Sequence, residues 1–380
     1  MAKTARVSIT NVYADGGYTA RILVGSKQQP MNVLLDTGSS MLTLDGSKYQ
    51  PNLADGDQST DLAQTESYGD GTSFTGAVIT TQLSIGDGDT SVDLQNGNAA
   101  IAYIASSGMF GGFDGILGLA YAPLDFAFTM PTDTWAHKYS EVEVRSGQRG
   151  QIKPYLTQLA DEGVVSDIIA FLTRRSNIHV GSGQGDDPLN QGLMIVGGGE
   201  ESTDLYTGSF QTVTVLADDW YNTNLKAVIV GSTDPIVGSM QVPKGMPSNS
   251  IVDSGTNSLN LSDLLLKALL SKFSTAQQEL LAGSIYDNKL VSATDLNLDE
   301  WPTLTFVLQG DEADVSLQVS PSNYWQVDAP KVGAATAAIS KGYEPGLATL
   351  GLPLMNGYFT IFDGEADAGR GVIKFATRTA

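Results

Sequence analysis

From residue 5 to about 120, apolar and polar positions alternate in short runs, the two-residue period of a strand with one buried face. The runs "ARVSITNVY" (5–13), "YTARILVG" (18–25), "MNVLLD" (31–36), "MLTLD" (41–45), "SFTGAVITTQLSIG" (73–86) and "NAAIAYIA" (98–105) are divided by Gly, Asp and Asn, so they predict strands joined by tight turns. Helical spacing is rare. It predicts one helix within "IKPYLTQLADEGVV" (152–165) and another within "SDLLLKALLSKF" (262–273), where Ser262 is placed to cap the first turn. Residues 127–151 follow neither period and read as a long surface excursion.

Composition narrows the chemistry. The 380 residues are 41% hydrophobic and 17% charged, with 42 glycines, enough for one large or two medium domains with a substantial core. A net charge of −21 repels phosphate, which argues against nucleic acid and against an anionic membrane surface. With no cysteine and two histidines, disulfides, thiol nucleophiles and thiolate or multi-histidine metal centres drop out, so neither a metal nor another cofactor is expected. No apolar run reaches the roughly 18 residues of a membrane helix, and "MAKTARVSITNVY" lacks the apolar stretch of a signal peptide.

One pattern occurs twice. "LLDTGS" (34–39) returns as "IVDSGT" (251–256), and each copy is followed much later by an apolar–Leu–Gly element, "GILGLA" (115–120) and "ATLGLP" (348–353). Matched order in the two parts predicts two similar β lobes, 1–204 and 205–380, meeting near "GGGEESTDLYTGS" (197–209). Within each motif the apolar pair would put an Asp at the end of a buried strand, where a lone carboxylate is costly. Thr37, Gly38 and Ser39 around Asp36, and Ser254, Gly255 and Thr256 around Asp253, supply hydroxyls and close backbone N–H groups to hold it. Two such carboxylates brought together by symmetry cannot both ionise cheaply. They would share a proton and could activate a water against a carbonyl, which is general acid–base hydrolysis.

In these motifs the chain resembles the pepsin-like aspartic peptidases. "LLDTGSSMLTL", "YGDGTSFTG", "FDGILGLAY", "YTGSF", "IVDSGTNSL" and "TLGLPLMNGYFTIFD" follow one another in that family's order over nearly the full length. The resemblance implies an all-β, bilobal fold with few short helices and a cleft, Asp36 and Asp253 as catalytic pair, and Ser39 and Thr256 on their outer oxygens. It implies an endopeptidase that cuts extended polypeptide at acidic pH, is blocked by pepstatin, and works as a monomer. "ESYGDGTSFTG" (66–76) matches the flap hairpin, with Tyr68 covering the cleft and Gly69 and Asp70 offering contacts to substrate.

Thr43 stands where many members carry a Trp that pairs with the flap tyrosine. Only 35 residues precede Asp36, short for a pro-segment, which makes the chain similar to bacterial pepsin-like enzymes lacking one. It is therefore expected to be cytoplasmic and active without processing, or secreted if the sequence is a processed form.

Other signals have plainer readings. "GDGDTSVD" (86–93) lacks the glutamate that would close a calcium loop, and reads as a hairpin turn. "GSGQGDD" (181–187) lacks the Lys of a phosphate loop and reads as a surface loop. Asp114, in "FDGILG", is assigned a structural role, and His137 and His179 are expected at the surface. Two rivals stand beside the peptidase. A binding or inhibitor protein on the same fold would be expected to lose an Asp or its hydroxyls, and a glycosidase would not need its acids in matched Gly turns.

Overall fold

A computed structural model describes residues 2–181, 183–238 and 241–379. The expected strands form where side chains alternate between core and solvent. Along Ala5–Ala14 the even positions face out until the turn, while Val7 and Ile9 are buried. Gly17–Val24 and Gln29–Asp36 continue from it as an antiparallel meander. The result is a mostly β molecule, and among the described residues these three strands belong to a fifteen-stranded sheet that stands beside three smaller ones.

The duplicated motifs lie on duplicated wiring. Gln29–Asp36 runs parallel to Gly115–Gly118, with Asp36 opposite Gly118. Leu42–Asp45, the next strand after the motif, lies antiparallel to Gly115–Gly118 and parallel to Val92–Ala105. In the second half Ser250–Val252 runs parallel to Ala348–Leu350. Leu259–Leu261 then lies antiparallel to Ala348–Leu350 and parallel to Ile339–Lys341. Each Leu-Gly element is thus wedged between the strand entering its Asp turn and the strand leaving it. The space is tight. A side chain at Gly118 would strike the Ser40–Met41 backbone, and one at Gly351 the carbonyls of Thr256 and Ser258.

The halves are not separate bodies. Ile168–Leu172 pairs with Tyr358–Asp363, so Ala5–Ala14, Gln191–Val196 and Ile168–Leu172 continue directly into Tyr358–Asp363, Val372–Arg378 and Tyr206–Thr214. Ala170, Ile195, Phe359 and Ile361 pack on one face of this shared sheet, while Phe171, Phe362 and Phe375 belong to the main core.

Two expectations need correcting. The segment 127–151 is no loose excursion. Phe126–Thr129 pairs with Gln148–Gln151 and with the strand Gln58–Ser67, while Met130, Tyr139 and Val144 close a small core over Ala63. It also carries the helix Glu141–Arg145, started by a reciprocal Ser140–Glu143 cap. Of the helices, Tyr155–Asp161 and Asp263–Leu270 form where periodicity places them, the second with Ser262 accepting from the Leu265 N–H. Thr275–Asp287, capped by Ser274 and Gln277, adds a longer one that the sequence pattern does not reveal.

Candidate active site

Asp36 ends a buried strand and its carboxylate is gathered back by its own turn. Gly38 N–H donates to Oδ1 at 2.8 Å and the Ser39 hydroxyl donates to Oδ2. Asp253 repeats the arrangement, with Gly255 N–H on Oδ1 at 2.8 Å and Thr256 Oγ1 on Oδ2 at 2.6 Å. Both aspartates are 8% exposed. Such donors favour the charged carboxylate and fix its plane.

Thr37 and Ser254 act differently from the expectation that they hold their own aspartates. Thr37 Oγ1 donates to the Val252 carbonyl at 3.2 Å and accepts from Ser254 N–H at 2.9 Å. Ser254 Oγ donates to the Leu35 carbonyl at 2.9 Å and accepts from Thr37 N–H at 3.1 Å. Four buried hydrogen bonds therefore cross between the halves directly beneath the two carboxylates. Each motif is pinned by the hydroxyl of the other.

This clasp sets the carboxylates face to face, and the motif glycines are what permit it. A side-chain carbon at Gly38 would sit 2.9 Å from the Asp253 carboxyl carbon and both its oxygens, and one at Gly255 would collide with the Asp36 carboxyl. Asp36 lies within hydrogen-bonding reach of Asp253. Burial first, and the Asp253 charge second, raise Asp36 well above the usual carboxylate range, against the opposing pull of Ser39 and Gly38. A pair so placed keeps one proton where two separate carboxylates would have none. It can accept a proton from a water at one oxygen while donating one to a carbonyl at another.

The strands Gln58–Ser67 and Ser73–Ile85 form the expected hairpin, paired out to Ser67 opposite Ser73. Its turn is closed by Tyr68 N–H to the Thr72 carbonyl at 2.8 Å, and Asp70 accepts from the Thr72 N–H and hydroxyl. Gly69 and Asp70 are exposed at the tip. Tyr68 turns inward, its ring against the cluster of Met41, Phe74, Phe110, Phe113 and Ile116. Burial, then the Asp36 charge, push its phenol up. Thr43 is near enough to offset a little of that rise, yet among the described residues neither the Tyr68 nor the Thr43 hydroxyl completes a hydrogen bond of ordinary geometry.

Elsewhere, Asp114 serves structure, accepting from Asn32 N–H at 2.8 Å and pairing with Lys48 at 2.9 Å. Residues 86–91 form the turn between two strands, as their composition suggests. His137 is exposed, but His179 is not simply a surface group. It is held between Asp187, 2.5 Å from Nδ1, and Asp328 of the second half, 3.6 Å from Nε2. The 181–187 loop supplies that partner, although residue 182 within it lies outside the described residues. Tyr343, which no sequence motif marks, stands over the hairpin tip.

Against known proteins, the family model described as eukaryotic aspartyl protease matches residues 17–144 and 182–376. Gastricsin of Cavia porcellus is 26% identical over 96% of this chain and 82% of its own length. Beta-secretase of Strongylocentrotus purpuratus is 27% identical over 92% of this chain and 65% of its own, and pepsin A of Sus scrofa 25% over 92% and 80%. These animal relatives are secreted, lysosomal or membrane-associated proteases, which overturns the expected cytoplasmic location.

Proposed function

The chain belongs to the aspartyl protease family, and from that premise we propose that Asp36 and Asp253 are its catalytic pair, hydrolysing extended polypeptide in acid through one shared proton. That it is an aspartic endopeptidase acting on polypeptide follows from the family. The observation that carries the finer reading is the mutual seating of the carboxylates, each nested against the other motif's glycine with a matching set of donors.

In this mechanism a water lies between the carboxylates. The ionised oxygen takes a proton from it as its oxygen attacks the peptide carbonyl carbon, and the protonated carboxyl gives its proton to the carbonyl oxygen. The tetrahedral diol then collapses as the amide nitrogen gains a proton and the C–N bond breaks, leaving an acid, an amine and a pair again holding one proton. Ser39, Thr256, Gly38 and Gly255 orient the carboxylates. Thr37 and Ser254 keep the two turns at fixed separation. Tyr68, Gly69 and Asp70 form the flap that shields the reaction from bulk water.

The lobes divide at 204/205 and the chain works as a monomer. The division is supported by the same strand wiring on either side of it. Digestion of casein in acid tests the proposal. Cleavage should be blocked by pepstatin and survive EDTA and serine or thiol reagents. Cleavage that EDTA abolishes and zinc restores would overturn it.

A further inference from the structure

The flap tip does not hang free over the cleft. A side-chain carbon placed on Gly69 would have, as its three nearest neighbours, Tyr343 Cδ2 at 3.6 Å and Tyr343 Cβ and Cγ at 3.9 Å. The tyrosine therefore stands beside the glycine, leaving room for about one methyl group between them. The hairpin belongs to the first half, and Tyr343 belongs to the loop between Ile339–Lys341 and Ala348–Leu350 of the second. The juxtaposition spans the two halves.

The mount for Tyr343 is braced, while the Tyr68 side chain of the flap is seated mainly in apolar packing. Gly342 N–H donates to the Leu261 carbonyl at 2.8 Å and Ala348 N–H to the Asn249 carbonyl at 2.9 Å, which ties both ends of the loop to neighbouring strands. Behind it, Gly346 backs onto the Gln241 carbonyl and the Pro243 ring. On the flap side, the buried Tyr68 and Thr43 hydroxyls complete no hydrogen bond of ordinary geometry among the described residues, and Tyr68 packs against the apolar cluster. Tyr343 remains 63% exposed, an aromatic ring that would gain little by standing there for its own burial.

We propose that Tyr343 is a positioning residue for the flap: its ring latches the Gly69 tip across the cleft in the free protein, and an incoming polypeptide must part the two to reach the aspartates. The proposal rests on the active-site reading above for its kinetic consequence, though not for its structural one. The Tyr343 atoms that face the glycine are Cδ2, Cβ and Cγ, so the hydroxyl is dispensable. Part of each substrate's binding energy is spent on lifting the flap, and removing the ring returns it.

Hydrogen exchange over residues 66–76 of the ligand-free protein, with peptide kinetics alongside, tests this in wild type, Tyr343→Ala and Tyr343→Phe. Exposure of the side chain means that Tyr343→Ala keeps the wild-type melting temperature. Its flap amides should exchange about fivefold faster or more. Its KM should fall while kcat stays within about twofold, the signature of relieved ground-state cost rather than lost chemistry. Tyr343→Phe should match wild type in both readouts. Flap exchange unchanged in Tyr343→Ala, or Tyr343→Phe behaving like Tyr343→Ala, would overturn the latch. A wild-type chain without peptidase activity would instead refute the aspartate pair, leaving the exchange result to judge the latch by itself.

Discussion

Gly38 and Gly255 do more for the site than make a turn. Each leaves room for the opposite carboxylate, so Gly38→Ala should spare much of the fold and still force the aspartates apart. We expect it to lower kcat by at least about 10²-fold, the scale of one lost general acid–base contribution, with far-ultraviolet dichroism unchanged. Wild-type turnover in that variant would mean the carboxylates need not touch. The aspartates and their outer hydroxyls were legible in the sequence because a polar cluster at the end of an apolar strand needs local donors. The role of Thr37 and Ser254 was not. Their partners are backbone groups of the other motif, and nothing local distinguishes a hydroxyl that turns toward its own Asp from one that reaches across.

Among the elements, the flap shows what a resemblance leaves out about packing. Tyr68 was expected to cover the cleft, and its ring is set in an apolar cluster of its own half while its phenol feels the Asp36 charge. Tyr68→Phe should therefore melt no lower than wild type, since the lost hydroxyl completes no hydrogen bond of ordinary geometry among the described residues, while Tyr68→Ala should cost about 3 kcal/mol in urea unfolding. Equal stability of the Ala variant would place the ring in the cleft after all. Thr43 is fully buried, so Thr43→Trp, which would restore the family's usual residue, must overpack the site and should destabilise by about 1–3 kcal/mol. Strands with alternating faces could be read directly, as along Ala5–Ala14 and Gln29–Asp36. The strands at 126–129 and 148–151 could not, because what makes them strands is pairing with each other and with remote Gln58–Ser67. Thr275–Asp287 was missed because it buries only Leu281 and Ser284 and so shows little apolar stripe.

At the scale of the whole molecule, the duplication was visible in the motif order, whereas the shared sheet that fuses the halves was not, since it joins strands nearly 200 residues apart. The fold also buries carboxyls away from the cleft. Burial pushes Asp125 up to about 8 against a hydrogen bond from Gln64, and burial, with Glu365, pushes Asp167 up to about 6. A carboxyl raised in this way keeps its proton in the folded chain where the unfolded chain has lost it. Stability is then greatest below the unfolded value near 4 and declines as pH rises toward the folded one. Urea unfolding should accordingly show a more stable protein at pH 4 than at pH 8. Asp125→Asn should remove up to about 1.4 kcal/mol per pH unit of that slope. An unchanged slope would mean that Asp125 is ionised in the folded protein. The account depends most on Asp36 and Asp253 acting as one unit, and a double-mutant cycle on kcat/KM for an oligopeptide tests that directly. Asp36→Asn and Asp253→Asn should each cost about 10²–10⁴-fold, and the double variant should be scarcely slower than the worse of the two. Losses that multiply, or either single variant retaining near-native turnover, would contradict a shared-proton pair.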